Sequence, residues 1–178
     1  MKPMTEAIIR SSLINAGDDI AAQMTMPGLH EIMWESRDFL GWRDARAPQR
    51  AYLCYWREPP GATRVRADAT SGEATPVTLM LRVPNGRPRA DRLAICALCG
   101  TQQPAQQVRL FTAPKSGPAG EAGSTVGTYL CDDFSCSLTI RATPAHELQA
   151  DLGSHIQRRI ERLRARLDGF AGYVISSE

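Results

Sequence analysis

The sequence predicts an α+β domain organised around a metal centre, and three observations carry that expectation. Short apolar runs bounded by Pro and Gly recur through the middle of the chain, an amphipathic helix closes it, and four of the five cysteines fall in two close pairs. A chain of 178 residues suits one domain, or one domain with an appendage, and is long enough for a sizeable core.

The elements follow in order. Thr5 is placed to cap a short helix running to Ile14, and residues 18–26 form a second helical stretch stopped by Pro27-Gly28. Residues 29–39 are apolar at helical or mixed spacing, and the run 38–44, DFLGWRD, is aromatic, charged and turn-forming at once. Strands are expected at 50–56, 77–83, 107–112 and 125–130, together making a central antiparallel sheet. The Pro/Gly/Thr/Ala-rich stretch 57–76 reads as a long exposed excursion, and 114–124 as a flexible loop. The long C-terminal helix, 145–171, is drawn by Leu148, Leu152, Ile156, Ile160, Leu163, Leu167 and Phe170 at intervals of four and three. That stripe should pack on the sheet or beside the cysteines, and Gly169 and Gly172 mark where the helix weakens.

Composition narrows the function classes. The formal net charge is +2, so there is no bulk electrostatic footprint for nucleic acid. All basic residues except Lys2 and Lys115 are arginine, the better residue for stacking and for bidentate contacts. No apolar run is long enough for a membrane span, and the N-terminus lacks the pattern of a secretory signal. The expected location is therefore cytoplasmic, where clustered cysteines serve as metal ligands more readily than as disulfides.

The cysteine pattern is Cys96-x2-Cys99, then residues 100–130, then Cys131-x4-Cys136. Zinc needs four ligands in a tetrahedron, and paired cysteines on two turns supply them at low chain-entropy cost. Cys96-Ala97-Leu98-Cys99-Gly100 has the form of a zinc knuckle, the glycine permitting a left-handed turn. Two unrelated pairs, or a redox pair at Cys96 and Cys99, are the alternatives, but a redox pair leaves Cys131 and Cys136 unexplained. Four thiolates leave no open position for water, so one structural zinc is expected, with no catalytic role. Cys54 lies in an apolar strand and reads as a small buried hydrophobe. His146 or His155 could replace a cysteine as ligand, although His155 beside Ile156 reads better as a packed or half-exposed histidine; His30 falls in no hydrolase or deaminase pattern. No phosphate cradle or nucleophile elbow is present, so no enzyme is expected.

The order of motifs resembles a known family. It runs from DFLGWRD at 38–44 through RAYL at 50–53, the CALC knuckle at 96–99 and LFTAP at 110–114, then TVGTYLC at 125–131 and CSL at 136–138. This is similar to the treble-clef zinc-finger domain of the elongation factor G-binding proteins, which include the FusB-type fusidic-acid-resistance proteins. The small actinobacterial members look closest, and the family has also been labelled fibronectin-binding. The resemblance spans residues 30–172, with 93–141 its most specific part and the x4 spacing of the second pair its most selective feature. It implies a treble-clef zinc finger with an antiparallel sheet and a long C-terminal helix. It also implies docking on elongation factor G, which in the resistance members frees the factor from a ribosome stalled by fusidic acid. Those members carry a helical bundle ahead of the zinc domain, where this chain has residues 1–29.

The implied organisation is an N-terminal helical appendage at 1–29, the zinc domain at 30–172 and a tail at 173–178. Partner-binding candidates are Leu98 at the knuckle tip, Tyr129 two residues before a ligand, Lys115 in the neighbouring loop, and Arg158, Arg162 and Arg166 at intervals of four. The alternative for these is inward packing of Leu98 and Tyr129 and a solvated arginine face. The competing function is a ribosome- or RNA-binding zinc module that uses its arginines with Trp34, Trp42 and Tyr129 for phosphate and stacking contacts.

Overall fold

The computed structural model describes residues 1–59, 73–84, 92–142 and 152–176. Most of the excursion expected at 57–76 therefore lies outside the described residues, as do His146, Leu148 and the start expected for the last helix. Among the described residues the main sheet has five strands: β1 (Leu40–Arg43), β2 (Arg50–Arg57), β3 (Thr75–Arg82), β6 (Val108–Pro114) and β7 (Thr125–Cys131). They stand in the order β1-β2-β3-β6-β7, every pairing antiparallel. A separate two-stranded hairpin joins β4 (Leu93–Ile95) to β5 (Gln102–Pro104).

The central strands are apolar in unbroken runs because both faces of the sheet are covered. Ala51, Leu53 and Tyr55 of β2 and Val77, Leu79 and Leu81 of β3 point to one core, shared with the zinc segment and the last helix. Tyr52, Cys54 and Met80, on the alternate positions, point to a second core with Met4, Ile9, Met24, Leu40 and Trp42. Residues 1–29 are thus a layer on the sheet. Helix α1 (Glu6–Ser11) begins at Thr5, whose hydroxyl accepts from the Ile8 amide, and α2 (Asp18–Gln23) follows. The helical segment expected at 1–29 packs on the sheet, with Met4, Ile9 and Met24 buried in the second core.

The N-terminal segment also completes the sheet itself. β6 meets β3 only at Arg82 and Thr112, which leaves the rest of β3's edge open. Residues 12–14 fill part of it: the Thr78 amide donates to Ser12 and the Ile14 amide to Thr78. Asn15 fills the remainder as a side-chain surrogate for a strand. Its amide donates to the carbonyls of Met80 and Pro114, at 2.9 and 3.0 Å, and accepts from the Met80 amide at 2.7 Å.

The other differences have equally local causes. Residues 29–39 hold two single 3-10 turns, Leu29–Glu31 and Trp34–Ser36, and no longer helix. The run 38–44 is mostly strand β1. Within the expected loop 114–124 sits a short helix, α3 (Gly117–Glu121). The last helix, α5 (Leu152–Ile175), runs through Gly169 and Gly172 and past the expected tail boundary, because Ala171 and Val174 are still buried in the core. Its stripe packs as expected, with Leu163, Leu167 and Phe170 buried and Ile160 packed against them.

Replacing Asn15 with Ala should destabilise the domain by about 2–4 kcal/mol, because buried backbone groups of Met80 and Pro114 lose their partners. Urea denaturation checks this; a loss under 1 kcal/mol would show that water takes the amide's place.

Candidate metal centre

Two structural units deliver the four cysteines. The first is the β4–β5 hairpin, whose turn carries Cys96 and Cys99. The Gly100 amide donates to the Cys96 carbonyl at 2.9 Å, and Gly100 takes φ 71°, where a side chain would be strained. The second unit is the end of β7, which supplies Cys131, and the start of the short helix α4 (Cys136–Thr139), which supplies Cys136. The Ala97 amide donates to the Tyr129 carbonyl at 2.7 Å and stitches the two units together.

The Sγ atoms converge. Cys96 and Cys136 lie 3.5 Å apart, Cys99 and Cys131 3.7 Å apart, and all four sulfurs fall within 4.8 Å of one another. A tetrahedral ion with Zn–S bonds of ~2.3 Å sets its sulfurs ~3.8 Å apart, so the set fits zinc. Both of these close approaches join one pair to the other, and all five cysteines are free thiols, which disposes of a disulfide within Cys96-x2-Cys99. Four thiols this close cannot share ionisation evenly. Cys99 is held far below the ordinary thiol range by hydrogen bonds from Cys131 and then Cys136, while Cys136 is pushed up, first by Cys131. A divalent cation removes that conflict and deprotonates all four. Cys54 stays apart, its thiol pushed up to about 12 by burial.

The four residues between Cys131 and Cys136 explain the unusual spacing. Phe134 takes φ 56° and turns its ring into the core against Phe111, with centroids 5.0 Å apart. Strand β1 must pass close to that ring: a Cβ at Gly41 would stand 2.5 Å from it. Asp132 turns the other way and pairs with Arg43 and, at 3.2 Å, with Arg109. Gln103 of β5 donates to the Cys131 sulfur at 3.2 Å. Gln103, Phe134 and the Arg43–Asp132–Arg109 group escape sequence reasoning because nothing in their spacing marks them.

A knuckle hairpin, a strand and a helix start closing on one four-thiolate site is the treble-clef arrangement. The sequence model of the FBP C-terminal treble-clef zinc-finger family matches residues 8–174.

The chain belongs to that family.

Comparison with curated proteins and with solved structures returns no match. For an FBP-type zinc finger the centre is one structural zinc, with every coordination position filled by protein.

The partner-binding candidates scatter more than the ligands do. Tyr129 is 54% exposed, as expected of an anchor. Leu98 is not: at 1% exposure it points into the main core, because the knuckle lies over the sheet with its tip turned inward. It is corrected to a core residue. Arg158, Arg162 and Arg166 are exposed, and Arg166 donates to the Leu98 carbonyl at 3.1 Å, so their stripe starts at the knuckle. Lys115 lies at the far end of the β6–β7 hairpin: Tyr129 faces Leu110, five residues along β6, or ~17 Å at strand rise. It donates to Ser176 at 3.5 Å and does not join Tyr129. Trp42 is buried with its ring nitrogen donating to Thr25, so it is no stacking platform. Two residues unmarked by sequence stand out instead: Leu93 and Ile95, on one face of the strand entering the knuckle, are 65% and 62% exposed.

Freshly purified protein should hold about one zinc per chain, and Ser at any of Cys96, Cys99, Cys131 or Cys136 should release it. Gln103→Leu should keep the metal yet weaken it about 10- to 100-fold in chelator competition, since an outer-sphere donor to a ligand sulfur is lost.

Proposed function

We propose that this chain is a protein-docking zinc module of the translation machinery, that its partner is elongation factor G, and that it acts in the cytoplasm and not as an enzyme. The observation that carries the reading is Tyr129, an exposed aromatic residue on a strand whose position is fixed from both sides. Cys131 tethers it to the metal and Ala97 hydrogen-bonds its carbonyl. Rigid presentation of an aromatic side chain lowers the ordering cost of association. Exposed Leu93 and Ile95 flank the same knuckle, and the Arg158–Arg162–Arg166 stripe leads away from it, giving an apolar centre with a cationic margin. The order of motifs from DFLGWRD to CSL supports elongation factor G as the partner, and membership in the FBP family supports the zinc module. No described helix is long and apolar enough to cross a membrane.

Calorimetric titration with elongation factor G tests the reading. Tyr129→Ala and Arg162→Ala should each weaken binding by about thirty-fold, with zinc content and melting unchanged. Leu98→Ala should instead lower stability by about 2–5 kcal/mol, as expected for a truncated core leucine. Absence of binding by the parent protein would remove elongation factor G as partner.

A further inference from the structure

A cleft of about 970 Å3 opens at the end of the main sheet away from Tyr55 and Trp56, where β1 finishes, β2 begins and β3 finishes. Its charged lining is one-sided. Arg43, Arg50, Arg82 and Arg109 line it together with a single carboxylate, Asp132. That carboxylate is already shared by Arg43 and Arg109, whose Nε stands 3.2 Å from it.

The remaining two arginines are the more telling pair. Arg50 and Arg82 stand directly opposite each other in the β2–β3 register, and so project from the same face. Like charges at opposed positions destabilise a sheet. Among the described residues no carboxylate lies within ion-pair distance of either. Arg82 is exposed, and Arg50 is half-buried with the Tyr52 hydroxyl as its neighbour. A fold that holds two opposed guanidinium groups at a cleft where the one carboxylate is already taken by two other arginines is arranged for an anion brought from outside.

From this we infer that the cleft grips the phosphodiester backbone of an RNA strand. The lining carries no aromatic ring, and its apolar residues are Ala47, Pro48, Val83 and Pro84. A peptide partner would need large buried anchors, which this wall does not offer. A phosphate backbone needs cations and donors along an open path, and the cleft supplies those from four strands. The choice of RNA over DNA rests on the proposed place of the chain in translation; the anion assignment does not. The surface is separate from the knuckle: Tyr129, Leu93 and Ile95 do not line it. Zinc nonetheless positions it, because Asp132 follows the ligand Cys131 and its amide is fixed to the Gln107 carbonyl at 2.9 Å.

Fluorescence anisotropy with a labelled RNA hairpin tests this, with DNA of the same sequence, polyglutamate and inorganic pyrophosphate as competitors. The zinc-loaded full chain should bind the hairpin at low salt, with affinity falling steeply as salt rises. The Arg50→Gln/Arg82→Gln variant should lose about tenfold in affinity and about 1.4–1.8 in the salt slope, while melting no lower than the parent. Arg82→Gln alone, at an exposed position, should lose about half of that slope change, and Tyr129→Ala should bind RNA as the parent does. No RNA binding at low salt, or equal binding by the double variant, would overturn the proposal. So would displacement by polyglutamate or pyrophosphate as effective as unlabelled RNA. Preference for DNA would overturn the choice of RNA. RNA binding by a chain that does not bind elongation factor G would keep the cleft and remove the docking reading.

Discussion

Four cysteine sulfurs held within 4.8 Å of one another repel as thiolates unless a cation sits among them, and the surrounding structure is arranged around that requirement. The ion joins a hairpin turn, a strand end and a helix start, alongside the Ala97–Tyr129 hydrogen bond and the core contacts of Leu98 and Phe134. Several separate features depend on the join. It sets Phe134 into the core against Phe111, and strand β1 passes that ring only because residue 41 is glycine. It aims Asp132 at Arg43 and Arg109. It also turns Leu98 inward and offers the Leu98 carbonyl to Arg166, which ties the knuckle to α5.

The rest of the molecule solves a different problem, that of a small sheet buried on both faces. α5 and the zinc segment cover one face and residues 1–29 the other. Where β3 and β6 diverge, Asn15 supplies hydrogen bonds that a strand would have made. Asp38 does comparable work on the opposite side: its carboxylate is fully buried between Arg141 of the zinc segment and Arg164 of α5, at 2.6 and 2.8 Å. Two guanidinium partners and the close contacts offset the desolvation of that charge.

What the sequence made legible follows from the range of each signal. The four ligands could be read because their chemistry leaves one sensible use, and the strands at 50–56 and 77–83 because burial on both faces writes unbroken apolar runs. The stripe of α5 was legible for the same reason, though its glycines suggested an earlier end: tertiary burial of Ala171 and Val174 outweighs the weak helix propensity of Gly169 and Gly172. The run DFLGWRD was noticeable but not interpretable. Phe39 and Leu40 serve opposite cores, Gly41 yields to Phe134 from a distant segment, Trp42 reaches Thr25, and Arg43 reaches Asp132. None of those partners lies nearby in sequence, so local reasoning saw a turn where there is a strand. Leu98 failed for a related reason: a residue at a knuckle tip is exposed only if the knuckle points outward, and its tilt is set by Tyr129 and Arg166.

The central claim is that zinc holds the knuckle, the β7–α4 junction and the α5 contact as one unit on a sheet that has its own second core. Amide hydrogen exchange with and without a zinc chelator tests this most directly. On zinc removal, protection should collapse at 93–104 and 129–141 and weaken around 163–167, while β2 and β3 near Tyr52, Cys54 and Met80 keep measurable protection. Exchange profiles that do not change on complete removal of the metal would contradict the account.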